Sequence, residues 1–421
     1  MNRSELHLSP RLPDIGFGEF VALMATIMAL NALAIDTMLP ALPAIAQSLS
    51  MDHANQSQWV ISVYLLGYAA GQLVYGPMSD RYGRRGILLV CLGAYALLSF
   101  FAGFTTSMTG MLIARGLQGL ATAGARVLAV AIVRDRYSGA PMARVMSLTF
   151  IVFLLVPILA PSLGQLILQV APWPYIFHFL ALSALGVLAW SYFRLRETLH
   201  PEYRRSVSIR QLIQAWKFVL GNRVAMGYTL ASMFFLSALF GFINSIQQIY
   251  TDIFHAPHRF PLMFAVVAGM MAVSALLNSR IVERVGMHRV SHTAAILYVL
   301  FAGAHAWIAW SGQETEVTFV VLQACIMSCF SLATSNFSAI AMEPLGAVAG
   351  SASSLQGFIT TFGGALLGLW VSQHYDQTTI PLTLGFFGFG LAGLLIVLAT
   401  ESGRLFAAPP GESDDLHSAA R

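Results

Sequence analysis

Charge is scarce in this chain: Asp, Glu, Lys and Arg make up 10% of its 421 residues, against roughly 25% in an ordinary soluble domain. With 57% hydrophobic residues and a mean hydropathy of +0.70, the composition excludes a water-soluble globule and implies a membrane protein. Cysteine is nearly absent, and Cys91, Cys325 and Cys329 all lie inside apolar runs, where buried thiols serve as inert packing groups. No phosphate-cradling Walker loop occurs, which argues against an ATP-driven pump, and no metal-ligand spacing or nucleophile motif supports an enzyme. The first apolar run is too long for a signal-peptide core and no small-x-small cleavage site closes it, so it reads as a retained span.

What is present is a series of apolar runs, each near the roughly 20 residues that cross about 30 Å of hydrocarbon as a helix. They fall at 19–41, 57–77, 87–104, 109–133, 145–169 and 173–193, then at 224–249, 259–279, 291–310, 317–340, 348–371 and 380–400. A tail of 1–18 precedes them, and a polar tail of 401–421 follows. Between the two sets lies a charged linker, 194–223, containing the amphipathic stretch SIRQLIQAWKFVL. With the N-terminus in the cytoplasm, every Lys and Arg except Arg115, Arg126 and Arg259 falls on the cytoplasmic side, as the positive-inside rule asks. One helix more or fewer would put the later basic loops on the wrong side. The turn SDRYGRRG after the second run has a counterpart, VERVGMHR, after the eighth, with Asp80, Arg81 and Gly83 aligning with Glu283, Arg284 and Gly286. Two matching sets of spans joined by a basic middle are the pattern of a duplicated transporter.

In GPMSDRYGRRG, Gly76 and Gly83 permit tight backbone, Asp80 can face a helix N-terminus, and Arg81, Arg84 and Arg85 hold the loop at the cytoplasmic surface. With its position between the second and third spans, this loop resembles the signature of the major facilitator superfamily, and the resemblance covers nearly the whole chain. RGLQG, Arg115 to Gly119, is similar to the fourth-span motif of its twelve-span drug:proton antiporters. PILAPSLGQ, with Pro157, Pro161 and Gly164, is similar to their fifth-span proline/glycine motif, although Ala160 stands where a glycine is common. IDTMLPALP, IVRD ending at Asp135, and EPLGAVAGSASSLQG resemble the bicyclomycin/chloramphenicol-resistance branch. The resemblance implies an all-α fold of twelve transmembrane helices in two six-helix bundles with both termini cytoplasmic, residing in the bacterial inner membrane. It implies alternating access driven by the proton gradient, with no cofactor or metal, no nucleic-acid partner, and a monomer that handles protons and a small molecule. Asp80, Arg84 and Asp135 would form the family's charge cluster, which latches the cytoplasmic side.

Ionised residues inside a span cost about 2.5–3.5 kcal/mol each on insertion scales, so each needs a partner or a water-filled cavity. Three stand out: Asp36, Arg115 and Arg126. Asp36 near the outer end of the first span and Arg115 near the outer start of the fourth match in depth within about one helical turn. They are therefore expected to be electrostatically coupled and to form the proton-coupling pair, with Pro40 and Pro43 ending the helix just beyond the acid. A structural ion pair is the alternative. Arg126, eleven residues on, returns to the same face within about 20°, about 16 Å deeper. The cavity then carries net positive charge and favours neutral, zwitterionic or anionic molecules over lipophilic cations; snorkelling of Arg126 to the surface is the competing account.

Asn31 on the first span, Tyr64 and Tyr68 on the second, and Asn244, Gln247 and Gln248 on the seventh complete the candidate substrate-binding set, their aromatic and amide groups suiting a pocket for varied apolar molecules. His178 and His305 read as isolated, packed neutral histidines. The function expected is proton-coupled efflux of drug-like molecules; export of a metabolite such as an amino-acid derivative or organic acid stays open, and a non-transporting sensor less so. Reporter fusions test the orientation: green fluorescent protein joined after Glu401 is expected to fluoresce and alkaline phosphatase at the same point to stay inactive, with the reverse at Gln313.

Overall fold

The computed structural model describes residues 15–51, 53–199, 202 and 209–406. Most of the N-terminal tail, residues 203–208 of the linker and the tail beyond 406, GESDDLHSAAR included, lie outside the described residues. The helices are α1 (Phe17–Asp36), α2 (Leu42–Ser48), α3 (Trp59–Tyr82), α4 (Arg84–Ala102), α5 (Met108–Arg136), α6 (Gly139–Val170) and α7 (Pro174–Arg194) in the first half. The second half holds α9 (Arg223–Gln248), α10 (Phe260–Val285), α11 (Met287–Trp310), α12 (Glu316–Met342), α13 (Ala349–Gln373) and α14 (Ile380–Thr400), preceded by the linker helix α8 (Ile209–Gly221). Among the described residues, 12 helical segments are long and apolar enough to cross a membrane, so the expected all-α bundle of twelve spans is what the chain forms.

Within the halves α1 packs on α6, α3 on α5, α9 on α13 and α10 on α12; between them α3 meets α13 and α6 meets α10. Each half thus presents the same kind of helix to the other. The start of α1, the end of α14, the turn at Gly83 and the turn at Gly286 share one end of the bundle, called the basic end below; the turns near residues 50, 105, 172, 255, 313 and 376 form the far end. Gly83 (φ 98°) and Gly286 (φ 86°) both take the left-handed conformation that lets one span stop and the next begin at once.

The first span breaks at its aspartate. Pro40 has no N–H to give the carbonyl of Asp36 and its ring crowds that turn, so α1 ends at Asp36. A 3-10 turn, Leu39–Ala41, then leads into α2. The expected stop beyond Asp36 is therefore a break followed by a second short helix.

Span α6 runs through Pro157 and Pro161 and brings Gly164 against this break: a Cβ on Gly164 would sit 2.0 Å from the Thr37 carbonyl oxygen and 3.3 Å from Pro40 Cγ. The second half repeats the device, Gly368 of α13 lying so close to α9 that a Cβ would be 2.8 Å from both the Gly241 nitrogen and the Ser237 oxygen. Gly164→Ala is expected to lower stability by about 1–3 kcal/mol through overpacking, read as earlier thermal unfolding in detergent. Gly186→Ala, with nothing within 4 Å, should leave it unchanged.

Candidate functional site

Close backbone packing places the arginine of RGLQG. Gly119 lies against α3, where a Cβ would be 2.0 Å from the Tyr64 carbonyl oxygen, and a Cβ on Gly67 would meet the Gly116 oxygen at 1.9 Å. Only at this separation does Arg115 reach across three helices. Its Nε donates to Val60 O at 3.0 Å, its Nη2 to Ala34 O at 3.1 Å and its Nη1 to Gln118 Oε1 at 2.5 Å. The guanidinium lies 4.3 Å from the Tyr64 ring centre and is fully buried. Gln118 passes the chain on to Ser99 Oγ of α4 at 2.6 Å.

Asp36 shares this depth, two residues beyond the carbonyl that Arg115 contacts, and is only 4% exposed. Yet no ion pair joins the two among the described residues. The donors of Arg115 end on carbonyls and an amide, and the expected direct pairing with Asp36 is not formed.

Arg126 differs. Ile113 and Leu117, 59% and 46% exposed, mark the outward face of α5, and at about 100° per residue Arg126 lies on the opposite, inward face. It is nonetheless exposed, although Ala125, Leu128 and Ala129 around it are buried. An exposed side chain on an inward face lines an internal space. Nη1 of Arg126 donates to Tyr68 Oη at 2.9 Å, and Tyr64 Oη donates to Asn31 Oδ1 at 2.9 Å. Four of the expected pocket residues thus meet in two pairs on neighbouring turns.

The amides of α9 go elsewhere. Asn244 donates to Ser62 Oγ at 3.1 Å across the two halves. Gln248 accepts from Gln58 at 2.5 Å and donates to Asn55 at 3.1 Å, while Gln373 donates to Gln58 Oε1 at 2.8 Å and to Asn55 O at 2.6 Å. Gln247 turns within its own helix to Thr251, at 3.4 Å. Gln58, Asn244, Gln247 and Gln248 are buried and Asn55 and Gln373 half-buried, and Asn55, Gln58, Gln248 and Gln373 close the far end as a carboxamide seal instead of lining an open pocket. Asn55, Gln58 and Gln373 were not foreseen; the cue was the amide-rich NQSQ opening the second span. The halves also meet on the basic-end side of Tyr68, where Gln72 donates to Gly357 O at 3.3 Å and to Thr361 Oγ1 at 3.2 Å.

At the basic end Arg84 is buried and pinned by Asp80 at 2.6 Å, Asp135 at 3.0 Å and Ser79 Oγ at 2.5 Å. Glu197, also unforeseen, caps α4 by accepting from the N–H groups of Arg84 at 2.8 Å and Arg85 at 3.2 Å. Arg81 is exposed, 5.1 Å from the Tyr82 ring. Gly76 faces the second half, where a Cβ would be 3.4 Å from Ser354 Oγ. In the second half a different cluster occupies this end. The backbone N–H of Phe406 points at His292 Nδ1 (3.1 Å), which leaves the ring's proton on Nε2, facing Tyr228 Oη at 2.9 Å; that hydroxyl donates to Glu401 at 2.7 Å. His305, expected to be isolated, is bonded through Nε2 to Glu314 Oε1 at 2.7 Å, because the turn after α11 folds the acid back over the helix end. His178 packs among the rings of Phe100, Phe104 and Tyr175. Among the described residues no group of three His, Cys, Asp or Glu side chains is placed to hold a metal ion.

The family model of the major facilitator superfamily matches residues 24–369. An uncharacterized MFS-type transporter of Bacillus subtilis is 30% identical over 378 residues, 89% of this chain and 93% of its own length. The bicyclomycin resistance protein homolog of Haemophilus influenzae is 27% identical over 389 residues, 90% of this chain and 94% of its own. Of solved structures, the human organic anion transporter MFSD10 superposes with a TM-score of 0.68 at 18% identity, covering 90% of this chain and 98% of its own. The E. coli xylose transporter XylE gives 0.70 at 14% identity, covering 93% and 99%.

The seal has a direct test. Gln58→Leu leaves Gln248 Oε1 without its donor and Gln373 with Asn55 alone, at about 1–3 kcal/mol for a buried polar group left unsatisfied. On a background without native cysteines, Ser62→Cys is expected to react faster with a membrane-impermeant maleimide once Gln58→Leu is added, and to stay protected without it.

Proposed function

The chain belongs to the major facilitator superfamily, and we propose that within it the protein is a proton-coupled exporter of small drug-like molecules, of the bicyclomycin/chloramphenicol-resistance type. It is a multi-pass membrane transporter that works by changing conformation and not by catalysis. The basic end faces the cytoplasm of a bacterial cell, as the distribution of Lys and Arg asks. On this reading the carboxamide seal closes the face turned away from the cytoplasm.

The observation that carries this reading is Asp36. An acid that is only 4% exposed stands at the last residue of a broken span, beside the contact that Gly164 of α6 makes with Thr37. Movement there changes its access to water, and an ionisable group whose hydration alternates with conformation takes up a proton in one state and gives it up in the other. Arg115, holding α1 by the Ala34 carbonyl, positions the acid. The fixed-charge cluster at Arg84 ties the ends of α3, α4 and α5 into one body, so that this half moves as a unit, and Gly76 marks where it meets the second half. The names of bicyclomycin- and multidrug-resistance relatives support the drug-like class of substrate.

Asp36→Asn keeps the size and removes the titrating proton. In a pump-deficient bacterium it is expected to insert at wild-type level and to lose proton-gradient-dependent export, with drug susceptibility returning to that of cells lacking the protein. Full gradient-dependent export by the variant would eliminate Asp36 as the proton site.

A further inference from the structure

The charge that the internal space presents to a substrate is positive. Arg115 is fully buried with its donors on carbonyls and Gln118, and Asp36 is shielded at the far-end break, roughly three turns from Arg126. The spans of the facing half add no formal charge: 224–248, 260–279, 317–342 and 349–373 contain no Asp, Glu, Lys or Arg. Glu19, the other acid of the first span, is taken up by Arg194 at 2.5 Å and Trp190 at 3.1 Å.

Arg126 therefore sets the potential of the space, and Tyr68 adds direction. The tyrosine oxygen accepts from Arg126 at 2.9 Å, which leaves the phenolic proton to be donated onward. A planar guanidinium beside a hydroxyl donor is matched by a carboxylate, whose paired oxygens take a charge-assisted bond from one and a hydrogen bond from the other. A neutral carbonyl uses the same donors without the charge, and an ammonium is repelled by the guanidinium.

We propose that the preferred substrates are amphipathic monocarboxylates, an apolar body carrying one carboxylate bound between Arg126 and Tyr68. This rests on the transporter reading above and narrows it from drug-like molecules in general to organic anions.

The test uses full-length protein in nanodiscs at neutral pH and three probes that share one body: 2-naphthoate, 2-naphthamide and 2-naphthylmethylammonium. Calorimetry is expected to show the acid binding at least about tenfold more tightly than the amide, with the ammonium weakest. Arg126→Gln should bring acid and amide to parity, and Arg126→Lys should restore part of the difference. Equal binding of acid and amide by the wild type, or preference for the ammonium, overturns the proposal, and neither outcome depends on a variant folding. Proteoliposomes with an imposed pH gradient separate the two readings. If the gradient drives the amide or the ammonium but not the acid, the anion proposal fails and proton-coupled export stands. Arg126-dependent binding of the acid without gradient-driven transport does the opposite.

Discussion

A guanidinium buried in an apolar bundle has to spend its donors on something, and the answer found by Arg115 organises the first half. Its contacts are backbone carbonyls, Val60 on α3 and Ala34 on α1, so they demand particular helix depths instead of particular neighbouring side chains. They also demand that α3 and α5 nearly touch, which is why glycines recur at 67, 116 and 119. Once the three helices are keyed together, Tyr64, Tyr68 and Asn31 fall where they can pair across the interior, and Asp36 is left at the end of its helix. Removing one acceptor would leave a buried charge without compensation, among the costliest changes a core can suffer.

The two ends of the molecule are closed by different chemistry. The cluster around Arg84 lies within one half and binds with full charges; its bonds stiffen a body. The amide seal spans the two halves and binds with neutral groups, each hydrogen bond contributing about 0.5–1.5 kcal/mol net. A handful of such bonds is of the size a two-state carrier can make and break, since neither conformation of an alternating machine can be much deeper than the other. The glycine contacts at Thr37 and Gly241 join helices of the same half at backbone distance.

Much of this was legible in the sequence. Apolar run length and the one-sided placement of Lys and Arg gave the twelve spans, and the paired loops gave the duplication that reappears in the positive φ of Gly83 and Gly286. The positions of Asp36 and Arg115 followed from counting residues along helices. Partners did not follow: depth can be counted, but whether Arg115 meets a carboxylate or a carbonyl depends on how α1 turns after Asp36, and Pro40 settles that only in three dimensions. Asn244 and Gln248 looked like pocket residues because amides on an inward face suit both a pocket and an interface; only the positions of Asn55, Gln58 and Gln373 on the other side distinguish them. Glu197 and Glu314 were missed since each lies in a connection, where sequence gives no hint of which helix end the chain will fold over.

The seal at the far end has one more property. A carboxamide is donor and acceptor at once and does not titrate, so Gln58, Gln248 and Gln373 hold each other with the same strength whether the medium beyond them is acidic or alkaline. Each also has a second way round: a half-turn of the amide exchanges its oxygen for its nitrogen. As one half rotates past the other, the cluster can trade partners one bond at a time, loosening like a zip. The acidity of the surroundings can then act on an ionisable group such as Asp36 without also acting on the seal.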